Sequence, residues 1–147
     1  MNYLAITIGP IYDTISQAKK TRSVWASSYL FSWIMKSILT KLKETEITII
    51  APFTDEILES KYGAGMYADR AYFSYSNLSQ GEAVILTSIE SVIDTLSSDI
   101  VKILNLKESD VQKFLREYLN IKLVSLTIDD AKSFPLNILN QKLDQEE

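Results

Sequence analysis

AITIGPIYDTISQAKKTRSVWASSYLFS, residues 5–32, begins as an apolar, β-branched run, stops at Gly9-Pro10 and resumes as a basic, aromatic-rich helical segment. From Tyr3 to Ile8 almost every residue is apolar, the pattern of a central strand covered on both faces rather than one with a wet side. Gly9-Pro10 ends that strand, because proline cannot donate to a ladder and the pair is a turn signal. The segment predicts a strand, a tight turn and a helix entry that brings Lys19, Lys20 and Arg22 beside Trp25, at the kind of strand end where α/β folds place ligands.

From Ile11 to Leu42 the periodicity is helical, with a bend or break expected near Thr21 to Ser23. Val24, Phe31, Met35, Ile38 and Leu42 recur at spacings of four and seven and should lie on the sheet. The other face alternates cations with rings: Arg22, Trp25, Tyr29, Trp33, Lys36 and Lys43. Thr45 to Ala51 reads as a second strand stopped by Pro52, and Asp55 to Ser60 as a short helix capped by Thr54 or Asp55. Tyr62 to Asn77, rich in tyrosine and glycine, reads as a loop containing a strand at Arg70 to Ser74. Ser79 to Leu104 is a long amphipathic helix, Asp110 to Leu119 a helix capped by Ser109, and Ile121 to Ile128 an alternating strand. A polar helix, Pro135 to Glu147, follows. The order β, α, β, β, α, α, β predicts one domain over residues 1–147, of α+β class: a ferredoxin-like antiparallel sheet with helices on one face.

The 147 residues contain no cysteine and no histidine, which removes disulfides, thiolate nucleophiles and the common zinc ligands. Carboxylate, hydroxyl, amine or binding chemistry is left. Met1 to Leu4 carries no basic leader, and Lys36 and Lys41 interrupt the best apolar run well short of the roughly 20 residues a membrane span needs, so a soluble, cytoplasmic protein with no membrane partner is expected. Residues 1–43 carry a net charge of +5 and residues 44–147 a net charge of −9. Two accounts fit this asymmetry: the halves pair with each other in the fold, or one end steers an anionic partner.

Gly9, Pro10, Ile11, Ile15, Ala18, Lys19, Lys20, Thr21, Arg22, Trp25, Ser28, Leu30 and Ser32 follow a gapped pattern that resembles the N-terminal part of the large subunit of type III CRISPR effector complexes, the Cmr branch in particular. Ile49 to Pro52 and Ala68 to Phe73 resemble that family's strand-proline and Asp-Arg-hydrophobic segments. The chain departs from the pattern at Tyr12, Thr14, Ser23 and Ser27, and lacks the proline expected before Asp69. The resemblance implies the first of two palm domains in a cyclic-oligoadenylate synthase subunit of an RNA-guided antiviral complex. The family's catalytic Gly-Gly-Asp-Asp turn belongs to the second palm and is absent here. It follows that the isolated chain is expected to be inactive, with ATP and Mg2+ serving only the complete subunit. Its expected partners are the second palm of that subunit, other Cmr subunits and, indirectly, guide and target RNA.

The residues then carry these expectations. Gly9, Pro10, Ser27 and Ser28 are candidates for half of a composite nucleotide pocket, although Gly-Pro also punctuates strands and small residues also serve packing. Lys19, Lys20 and Arg22 suit phosphate or RNA contact, or form a solvated charge run. Trp25, Tyr29 and Trp33 suit a protein interface better than base stacking. No metal ligand is expected: Asp13 has no acidic neighbour and reads as a helix-start residue, and Asp129-Asp130 as a helix cap with its first-turn acid. The competing functions are a stand-alone RNA-binding module using the basic face, and a small magnesium-dependent enzyme drawing on Asp13, Asp69 or Asp129.

Overall fold

A computed structural model describes residues 1–52, 67–128 and 135–146. The chain runs β1 (Asn2–Gly9), α1 (Ile11–Gln17), α2 (Thr21–Lys43), β2 (Thr48–Ala51), β3 (Arg70–Tyr75), α3 (Leu78–Leu104), α4 (Glu108–Tyr118), β4 (Asn120–Thr127) and α5 (Pro135–Glu146). Four strands form one sheet in the order β2-β3-β1-β4, every neighbouring pair antiparallel. With α2 between β1 and β2, and α3 between β3 and β4, this is the split β-α-β, β-α-β arrangement of a ferredoxin-like palm. The α+β class expected from the sequence is what the chain adopts.

β1 is central and buried on both faces, which is why its side chains do not alternate in polarity. Leu4, Ile6 and Ile8 join Phe73 and Ala71 of β3 against Phe31, Met35, Ile38 and Leu42 of α2 and Ile85, Ile89 and Val92 of α3. Ala5, on the other face, packs with Leu139 and Leu143 of α5 inside a wall of Tyr3, Tyr72, Val124 and Leu126. The expected cover on one face therefore describes α2 and α3, and α5 adds a second layer. Leu139 and Leu143 are too sparse in a polar helix to announce that layer in sequence. α3 crosses the sheet closely at Gly81, where a Cβ would come within 3.1 Å of Tyr75 Cβ and 3.2 Å of Leu4 Cδ1.

Several boundaries differ from the sequence expectation for identifiable reasons. The helical break falls at Ala18 to Lys20, not at Thr21 to Ser23: Ala18 and Lys20 are extended, and the Ser23 and Val24 amides open α2 by bonding to the Lys20 carbonyl. α1 buries no residue; its Thr14 hydroxyl lies 2.6 Å from Tyr118 Oη at the end of α4. Val24 is 37% exposed because the first turns of α2 run past the sheet, so the core stripe begins only at Phe31. β2 begins at Thr48, since Thr45 closes α2 by donating to the Leu42 carbonyl at 2.7 Å. α4 starts at Glu108 with Lys107 in the cap position. Ser109 does not cap it and donates instead to Asp110 Oδ1, and the start is favoured by Glu108 and Asp110 against the helix dipole. α3 is capped by Asn77, which accepts from the Gln80 amide at 3.2 Å, and ends at Asn105 in the left-handed region with φ 52°. The helix expected at Asp55 to Ser60, its cap at Thr54 or Asp55, the start of the loop at Tyr62, and the Asp129-Asp130 cap lie outside the described residues.

Candidate functional site

The carboxyl end of β1 opens into two adjoining recesses. One, about 330 Å³, is lined by Thr7, Ile8, Gly9, Pro10, Asp13, Asp69 and Asn120. The other, about 440 Å³, is lined by Ile15, Ser28, Phe31, Ser32 and Tyr67, and the two share Ile11, Tyr12 and Asp69. α1 supplies one wall, the early turns of α2 another, and the segment leading into β3 the third. That segment is pinned at both ends: the Tyr67 amide donates to Ser32 Oγ at 3.2 Å and the Ile8 amide donates to the Asp69 carbonyl at 2.9 Å. Gly9 leaves the strand end unshielded, for the nearest atom an added Cβ would meet is the Asn120 carbonyl at 3.6 Å, an ordinary contact. Nothing in the packing of the described residues demands glycine there.

Tyr67 is buried and its hydroxyl has no hydrogen-bond partner among the described residues; burial raises its pKa above the ordinary phenol value. Tyr12, by contrast, is 82% exposed at the mouth. Two carboxylates far apart in sequence, Asp13 and Asp69, line the smaller recess together. Among the described residues no group of three or more acidic side chains capable of holding a metal ion occurs.

The nucleotide candidates divide. Gly9, Pro10 and Ser28 line the joined recesses, whereas half-buried Ser27 lines neither and donates to the Ser23 carbonyl at 2.8 Å. Lys19, Lys20 and Arg22 line neither recess and stand exposed at the α1–α2 junction. Trp25 and Tyr29 stack with centroids 5.4 Å apart and planes 16° apart, and are 60% and 44% exposed. Tyr29 continues into a groove of about 590 Å³ between α2 and α3, where half-buried Trp33 sits with Lys36, Lys41 and Val92. Tyr67, Asn120 and the pairing of Asp13 with Asp69 were not visible beforehand. Only the Asp69-Arg70 segment carried a sequence signal.

Among the described residues the ion pairs join Arg70 to Asp144, Lys102 to Asp99, Lys113 to Glu117, and Arg116 to Glu90 and Asp94. Lys19, Lys20, Arg22, Lys41 and Lys43 take part in none of these and stand exposed.

Residues 3–103, from β1 to nearly the end of α3, match the family model described as CRISPR-associated protein Cmr2, N-terminal. No curated protein matches the chain.

Proposed function

The chain belongs to the Cmr2 N-terminal family and so has a role in the large subunit of a type III CRISPR Cmr complex, and from that premise we propose that it is the non-catalytic first palm of the subunit, supplying half of a composite ATP pocket and a docking face for the catalytic palm. The observation that carries the pocket is the end of β1, where Gly9, Pro10 and Ser28 line adjoining recesses. A nucleotide approaching there meets backbone at Gly9, the Ser28 hydroxyl, and an apolar wall of Ile11, Ile15 and Phe31.

Two-metal phosphoryl chemistry needs carboxylates clustered on the ions. Asp13 and Asp69 fit a supporting role toward Mg2+ brought in with ATP, two carboxylates being fewer than the cluster such chemistry needs. The catalytic carboxylates are assigned to the second palm. Lys19, Lys20 and Arg22 are assigned to phosphate or RNA approaching the α1–α2 junction, and Trp25, Tyr29 and Trp33 to the domain interface.

The test mixes the purified chain with ATP and Mg2+, alone and with the separately expressed catalytic palm. The expected outcome is no oligoadenylate from the chain alone and synthesis that depends on both parts. Cyclic oligonucleotides made by the chain alone would refute the reading. A specific observation keeps the magnesium-dependent enzyme as a second reading: Asp13 and Asp69 line one recess. Calorimetric titration with Mn2+ separates the two, since that reading requires tight binding lost in Asp13→Asn and Asp69→Asn.

A further inference from the structure

α1 walls both recesses at the end of β1: Ile11 and Tyr12 line each of them, Asp13 the smaller and Ile15 the larger. For a wall it is weakly rooted. None of its seven residues is buried, the chain is extended on either side of it at Pro10 and Ala18, and a helix this short is not stable in water by itself. Ile11 leans on the core. Among the described residues, the single side-chain hydrogen bond from α1 to another helix or strand joins Thr14 to Tyr118, 104 positions away, with the oxygens 2.6 Å apart.

The direction of that bond follows from counting hydrogens. The Thr14 hydroxyl has one, and gives it to the Pro10 carbonyl, which also accepts the Thr14 amide at 3.2 Å. Tyr118 is therefore the donor. The chain of bonds runs from Tyr118 Oη through Thr14 Oγ1 to the Pro10 carbonyl, and ends on the residue that stands at the N-cap of α1 and lines the smaller recess. The donor is the anchored end: Tyr118 closes α4, and its half-buried ring packs on the core and stacks on Phe114 with centroids 5.3 Å apart and planes 15° apart. Two residues on, Asn120 opens β4 and lines the smaller recess itself, so the α4–β4 junction braces the site from outside.

We propose that Tyr118 is a positioning residue: through Thr14 it holds α1 as the shared wall of the two recesses, and so sets how tightly they take a nucleotide. Tyr118 lines neither recess, and acts without touching the ligand. The proposal rests on the pocket part of the function above.

The experiment uses Tyr118→Phe, which removes the donor and keeps the ring and its stack. Amide exchange in α1 is measured on the intact chain, and steady-state kinetics with ATP and Mg2+ on the subunit reconstituted with the catalytic palm. Loss of one such bond should speed exchange in α1 about fivefold, and should raise KM for ATP by up to about fivefold with kcat unchanged, the mark of lost binding rather than lost chemistry. Thr14→Val should reproduce both effects, Thr14→Ser should restore the parent, and the double variant should be no worse than Thr14→Val alone. Parental exchange in α1 of Tyr118→Phe, additive effects of the two substitutions, or a fall in kcat at constant KM would each overturn the inference. Ser28→Leu, which fills the larger recess, separates it from the reading it rests on. If Ser28→Leu raises KM and Tyr118→Phe does not, the pocket stands and the positioning role falls. If neither moves KM, or the reconstituted subunit makes nothing from ATP, the pocket reading fails and takes the role in nucleotide affinity with it.

Discussion

Ser32→Ala should damage the candidate site from beneath. Ser32 is buried on α2, and its Oγ accepts the amide of Tyr67, the residue that fixes the third wall of the larger recess. Alanine leaves that buried N–H without this acceptor at a cost of about 1–3 kcal/mol. Against this stands a gain of about 0.5 kcal/mol from the better helix propensity of alanine. The net loss is roughly 1.5 kcal/mol, which for a chain of this size lowers Tm by about 3–6 °C. Ser28→Ala is the control: Ser28 lines the same recess without a side-chain hydrogen bond, and its replacement should stay within about 0.5 kcal/mol of the parent. Urea unfolding gives the stability of each variant, and amide exchange at Tyr67 reports whether the wall itself has loosened. If Ser32→Ala matches Ser28→Ala in stability, and Tyr67 keeps its protection, the wall is not held through Ser32 and the account of a pre-shaped recess is wrong.

Three other outcomes are expected. Leu139→Ala should destabilise the whole domain by about 2–5 kcal/mol in a single urea transition, because Leu139 is fully buried under β1; an unchanged midpoint would mean α5 is a detachable appendage. Tyr67→Phe should gain about 1 kcal/mol at neutral pH by removing a buried hydroxyl without a partner. It should also flatten the alkaline fall in stability: the folded pKa lies above the ordinary 10.0, so the unfolded chain loses the proton first, and the stabilisation is whole below that value and lost as pH rises through the folded pKa. Urea midpoints for parent and variant across that range check it, and parallel curves would contradict the assignment. Replacing Lys19, Lys20 and Arg22 together by glutamine should leave Tm nearly unchanged while reducing the salt dependence of RNA or ATP affinity in the reconstituted two-palm subunit, since these exposed cations have no ion pair to lose among the described residues.

Much of the fold was legible because its signals are local. The apolar run of β1, the Gly9-Pro10 stop, the stripe from Phe31 to Leu42 and the long apolar face of α3 each report which side of an element meets a core, and together they order the strands and helices of the split β-α-β units. The candidate site was legible only in part. Gly9, Pro10 and Ser28 lie within the stretch that also carries the family pattern, whereas Tyr67 comes from the segment before β3 and Asn120 from the start of β4, far along the chain from Gly9.

By itself the amino-acid order determined the class of the fold, the family pattern in its first 32 residues, and the exclusion of thiol and imidazole chemistry, because these depend on residue type and short-range periodicity. Only the tertiary structure decided that Asp13 and Asp69 share a recess, that Ser27 does not line it, that α5 closes the second face of β1, and that Lys19, Lys20, Arg22, Lys41 and Lys43 join no ion pair among the described residues. The reason is physical. Each of these depends on distances between segments far apart in the chain, and those distances are set by how the sheet pairs and by which side chains the helices press into it.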